Sequence, residues 1–162
     1  MTRLLKEESG YSLAEVIVSI FILTAAIIPM VGMFDMGLNA ATEGSNYDKA
    51  RALAKKQLEQ AQSLPYTTVR TSLPNAPCTF DASGRCEAVN LEVPTAEDPN
   101  GEFDNFRYAI VKQYVAPSDI TLDDEAADDT GMMRITVDVG WGGDLVWPYT
   151  DPGYTSTTTK AR

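Results

Sequence analysis

The sequence predicts an α+β protein: a long N-terminal helix whose first half is fit to cross a membrane, packed against a small antiparallel β-sheet. Three observations carry that expectation. No charged residue occurs from Val16 to Phe34. Between Tyr47 and Ala61, apolar residues recur three and four positions apart, the period of one helical face. The rest of the chain is broken by proline and glycine and holds short aromatic and β-branched runs, as short strands do. The 162 residues suit one domain with appendages. With the apolar run set aside, roughly 100 residues remain for one modest core.

At about 1.5 Å per residue, the apolar run is long enough for a hydrocarbon core of about 30 Å. Arg3 and Lys6 precede it, and Asp35, Glu43 and Asp48 are the first charges after it. The positive-inside bias therefore places the N-terminus in the cytoplasm and the head outside. Glu15 stands at the start of the run. A carboxylate in a membrane segment costs about 2.5–3.5 kcal/mol on insertion scales, so it is rare and usually functional. Three readings compete. A secretory signal peptide needs a short apolar core and a small-x-small site, but Leu38-Asn39-Ala40-Ala41 puts Leu or Asn where a small residue belongs. A plain signal anchor has no use for Glu15. The third reading puts a processing site before the run, after Gly10, and keeps the run in the mature protein.

Pro29, inside the run, lacks an N–H and meets the carbonyl of Ala25, so a kink or local loosening is expected, and Gly32 adds weakness beyond it. Membrane helices tolerate both where neighbours cover the freed backbone. Further on, Ala50, Leu53, Ala54, Leu58 and Ala61 form one apolar face, with Lys49, Lys55, Lys56 and Glu59 on the wet side. Gly44-Ser45-Asn46 marks an interruption or the cap of a restarted helix. Leu64-Pro65 ends the element, because the residue before a proline is pushed out of the helical region. The expected helix covers residues 11–64, with about 13–35 in the membrane and 46–63 amphipathic.

Gly10-Tyr11-Ser12-Leu13-Ala14-Glu15-Val16, behind a short polar stretch and ahead of the apolar run, resembles the prepilin motif of type IV pilins and type II secretion pseudopilins. Ala52 to Tyr66, with its Ala-Leu-Ala start, Gln-Leu-Glu centre and Leu-Pro-Tyr exit, is similar to minor pilins of the type IV pilus modification protein family. The likeness covers the first 66 residues and none of the head. It implies a pilin-like fold and a leader at residues 1–10, cut by a prepilin peptidase between Gly10 and Tyr11. It also implies N-methylation of Tyr11, although Phe is usual there, and an assembly role for Glu15. An α-amine is positive below a pKa of about 7.7–8, and a lipid-immersed carboxylate lacking a cation neutralises. In staggered subunits, the amine of one chain meets Glu15 of the next, which sets register more than it adds stability. The resemblance further implies local melting around Pro29 and Gly32 on subunit packing. The implied partners are other pilin subunits, prepilin peptidase, the membrane assembly machinery and, before assembly, membrane lipid. The implied location is single-pass in the cytoplasmic membrane, then the extracellular pilus.

The head, residues 65–162, reads as β-rich. Thr67–Asn105 is expected to be irregular loop with one strand at Glu87–Val93. Phe106–Val115 reads as a strand. Arg134–Trp141 alternates, with Ile135, Val137 and Val139 on one face and Arg134, Thr136 and Asp138 on the other. Gly142-Gly143-Asp144 looks like a hairpin turn into a strand at Leu145–Tyr149, which Pro148 marks as an edge. Thr155–Arg162 reads as a disordered tail whose threonines are candidates for glycans. Trp141 and Trp147 read as packing residues.

Composition narrows the chemistry. Histidine is absent, which removes every histidine base and histidine metal ligand. Cys78 and Cys86 have seven residues between them. In an exported protein they read as a short-loop disulfide in an oxidising compartment, with free thiols as the alternative. The net charge of -10 and pI of about 4.4 disfavour nucleic acid. The acidic stretch from Asp119 to Asp129 invites calcium but lacks the spacing and glycine of an EF-hand, so it reads as a solvated loop. No metal site, cofactor or enzyme is expected, since no nucleophile motif or phosphate loop occurs. The expected function is that of a structural minor pilin. A type II secretion pseudopilin and a membrane-tethered binding module are the alternatives.

Overall fold

The computed structural model describes residues 12–72, 77–116, 125–142, 147–148 and 153–162. The chain forms two units, residues up to Glu43 and residues from Gly44 to Arg162. Helix α1, Leu13–Ser63, supplies the described part of the first unit and continues into the second. At its start, Ser12 O accepts the N–H of Glu15 at 2.9 Å and of Val16 at 3.2 Å, which makes Ser12 the N-cap. The helix runs without a break through Pro29 and Gly32, and also through Gly44-Ser45-Asn46, so α1 is neither interrupted nor restarted there. The described apolar side chains of the first unit are exposed, Phe21 at 73% and Phe34 at 69%. The hydroxyls among them are satisfied within the helix: Ser19 donates to Glu15 O at 2.7 Å, Thr24 to Ile20 O, and Thr42 to Leu38 O at 3.0 Å.

In the second unit, α1 buries the expected stripe of Ala50, Leu53, Ala54, Leu58 and Ala61, together with Gln57. Pro65 ends α1 and at once starts α2, Tyr66–Ser72: its carbonyl accepts from Thr68 and Val69, both at 3.0 Å. The stretch after Pro65 is thus not plain loop. A proline that stops one helix can stand at the head of the next, where a missing N–H costs nothing.

Among the described residues five antiparallel strands follow: β1, Arg85–Leu91; β2, Phe106–Val115; β3, Glu125–Ala126; β4, Met132–Trp141; and β5, Gly153–Ala161. Their order is β1-β2-β4-β5, with β3 paired to the end of β2. β1 starts two residues before the expected Glu87 because an Asp81 turn launches it. Asp81 Oδ1 accepts the N–H of Ser83 at 2.8 Å and of Arg85 at 3.0 Å. The Ser83 hydroxyl also donates to Asp81 Oδ1, at 2.6 Å, and this bond, ahead of the backbone ones, holds the carboxyl below its usual range. Gly84 turns with φ 74°, and a Cβ there would lie 2.1 Å from Ala126 O, so only glycine fits. The core lies between α1, α2 and one face of the sheet, where Tyr108, Ile110, Met133, Ile135, Val137 and Val139 are fully buried.

Two expectations about the C-terminus are corrected. Thr155–Arg162 is not a disordered tail: through Ala161 it belongs to β5, in register with β4 from Gly140↔Gly153 to Met132↔Ala161. Its polarity hid it. Threonine is β-branched and suits a pleated surface, and Tyr154, Ser156, Thr158 and Lys160 alternate with more exposed residues. The neighbour of β4 is therefore β5 and not Leu145–Tyr149. Of that expected hairpin, residues 143–146 and 149 lie outside the described residues, while Trp147 and Pro148 form a bend.

Candidate functional site

Of the residues singled out by the sequence, Gly10 and Tyr11 lie outside the described residues. Glu15 occupies the third position of α1, in its first turn, on an exposed surface. Ser12 and Glu15 have the spacing of a capping box, a signal that the prepilin reading passed over. A carboxylate here also faces the positive end of the helix dipole. Its side chain has no hydrogen bond or ion pair among the described residues. Pro29 and Gly32 are exposed, and a Cβ at Gly32 would meet nothing within 4 Å. One helix in the described chain, α1, is long and apolar enough to cross a membrane.

Cys78 and Cys86 form a disulfide in the second unit, with Cα atoms 5.7 Å apart. It ties the strand start to the segment that carries Phe80, whose ring stacks on Tyr114 at 4.2 Å. The bridge lies in the second unit, whereas Glu15 and the apolar run belong to the first.

Sequence reasoning missed two polar constellations. Lys112 is fully buried and donates Nζ to Val69 O at 3.0 Å and Arg70 O at 3.4 Å, capping the end of α2. Burial pushes its ammonium down to about 8. Its parity with Tyr108, Ile110 and Tyr114 on β2 was a usable signal that it faces inward. The second is centred on Asp129, which accepts from the Tyr66 hydroxyl and from Gly131 N–H at 3.0 Å, and pairs with Arg70 and Arg162, each at 3.3 Å. The Tyr66 bond, ahead of the others, holds its carboxyl below the usual range. This hub joins α2, the β3–β4 connection and the end of β5, and no short motif announces it.

The calcium reading of the acidic stretch falls mostly on residues 119–124, outside the described residues. Glu125 pairs with Arg134 at 3.3 Å, and Asp129 serves the hub. Among the described residues no cluster suits a metal ion. No protein-family model, characterised protein or solved structure matches the chain. The class defined by its structure is thus stated from its own features: an α+β protein with a disulfide-braced antiparallel head and one helix of membrane-spanning length and apolarity.

Proposed function

We propose that the chain is a structural minor pilin of a type IV pilus, trimmed by prepilin peptidase after Gly10, N-methylated at Tyr11 and built into the filament through α1. The observation that carries the reading is the heptapeptide Gly10–Val16, with Glu15 as the last charge before an uninterrupted apolar run. Two features of the molecule support it. Glu15 has no partner among the described residues, as an acid awaiting the amine of a neighbour requires. The described apolar side chains of the first unit are exposed, as a helix that exchanges lipid for other helices requires. The subunit waits in the cytoplasmic membrane with its head outside and leaves for the extracellular filament.

Mass spectrometry of the protein purified from membranes tests this. The expected product starts at Tyr11 and carries one added methyl group on its amine. An intact Met1 terminus, or a terminus near Ala41, removes the proposal. A correctly trimmed chain that is absent from sheared filaments and present with a secretion assembly favours the pseudopilin reading instead.

A further inference from the structure

β5 ends the sheet, and among the described residues nothing pairs with its outer edge. The Arg162 N–H donates to Gly131 O at 2.8 Å, which fixes the alternation of the ladder. Even-numbered residues of β5 bond to β4, while Thr155, Thr157, Thr159 and Ala161 turn their N–H and C=O groups outward. The Thr136–Thr157 hydroxyl contact of 3.2 Å agrees, because facing side chains come closest at non-hydrogen-bonded pairs. Long open edges are normally blunted by charges, prolines or bulges. From Tyr154 to Thr159, β5 carries neither charge nor proline, and its register with β4 is unbroken.

A groove of about 350 Å³ runs beside that edge, between β5 and α1, with Leu58 in its lining, Arg51 and Lys55 contributing cations and Glu59 one carboxylate. Tyr47 meets Tyr154 edge-on at 5.3 Å, and Gln62 bonds Thr158 at 2.8 Å, so α1 and β5 run in the same direction. Arg51 and Lys55 therefore flank the first half of the strand. Arg51 has no ion pair among the described residues, and the pairing of Lys55 with Glu59 is exposed and 3.6 Å long. Two cations against one carboxylate leave this groove with a positive balance in a chain of net charge -10, and Arg51 carries it.

We infer that the β5 edge takes up an extended acidic segment of a partner protein, added as a further strand, with every second side chain over α1. Outward N–H and C=O groups of Thr155, Thr157 and Thr159 hold its backbone, and its carboxylates reach Arg51 and Lys55. This surface is independent of the filament reading and stands whether or not that reading does.

Full-length protein in detergent micelles, titrated with a fluorescein-labelled peptide of alternating valine and glutamate, provides the test by fluorescence polarisation. Saturable binding is expected, with the valine–lysine peptide about tenfold weaker or worse. N-methylation of alternate residues in the acidic peptide removes the donors that face β5 and abolishes binding. Arg51→Glu combined with Lys55→Glu weakens binding about tenfold. Thr157→Pro blocks it, and leaves the β4 ladder intact because the lost N–H points outward. Should that variant fail to fold, the methylated peptide still reports the backbone requirement. Failure of the acidic peptide to bind, equal binding of its methylated form, or indifference to the double charge reversal overturns the inference. Dimerisation that Thr157→Pro abolishes, with the peptide unbound, also overturns it and makes a second copy the occupant.

Discussion

The first and second parts of α1 solve opposite problems with one secondary structure. From Val16 to Phe34, large apolar side chains point outward around the helix, and the hydroxyls among them bond back to their own turn. From Ala50 to Ala61, small residues and two leucines face inward along one stripe against the sheet, while Arg51, Lys55 and Glu59 face water. An exposed Leu, Ile or Phe forgoes about 1.5–3 kcal/mol of burial, so a run of them belongs in a surrounding other than water. The alanines teach the converse: buried but small, they contribute little area themselves, and most of the energy comes from larger core neighbours such as Leu53, Ile110 and Val137.

This contrast can be broken experimentally. The largest effect is expected at Glu15. Under the proposed function, Glu15→Leu keeps the protein in the membrane and removes it from filaments, as measured by immunoblotting of sheared pili. Normal incorporation would reduce α1 to a tether. Next comes Leu53→Ala in the buried stripe, which should cost about 3 kcal/mol in urea unfolding of the head, whereas Ile22→Ala should change it by less than about 0.5 kcal/mol. Equal costs would erase the distinction between the two parts. Replacing both Cys78 and Cys86 by serine should remove about 2.6 kcal/mol by loop-closure entropy, read in the same assay.

A smaller effect concerns pH. Burial pushes Lys112 down to about 8, so the folded head releases this proton before the unfolded chain does. The unfolded chain then binds more protons between about pH 8 and pH 10, and stability rises with pH there by roughly 1–2 kcal/mol. Above about pH 10 the sign reverses, because burial raises Tyr108 to about 12 and, with the Asp129 bond, also raises Tyr66. Lys112→Met should lose the rise between pH 8 and 10, measured by unfolding at about pH 7.5 and 9.5. The smallest change is expected for Lys55→Ala, whose exposed pair with Glu59 should contribute less than about 0.5 kcal/mol.

Parts of this architecture were readable because their causes are local. The apolar run needs only composition and length. The stripe from Ala50 to Ala61 needs only the helical period, and Phe106–Val115 was bounded by its own aromatic and branched residues. Lys112 was half legible: parity on β2 turns it inward, but its partners, Val69 O and Arg70 O, lie on α2. β5 was illegible as a strand, since its Thr-rich sequence has no apolar face and is held by pairing with β4. At Glu15 the motif was plain, and so was the Ser12–Glu15 capping spacing that went unread.

The sequence by itself determined the elements whose energy is intrinsic to a short stretch: the charge-free span, the amphipathic continuation and the two central strands. The tertiary structure alone decided that a threonine-rich terminus completes the sheet, that Asp129 gathers Tyr66, Arg70 and Arg162, and that Lys112 is buried against the end of a helix. Hydrogen bonds and ion pairs between distant segments have no period along the chain. Their geometry exists only once hydrophobic burial has brought the partners together.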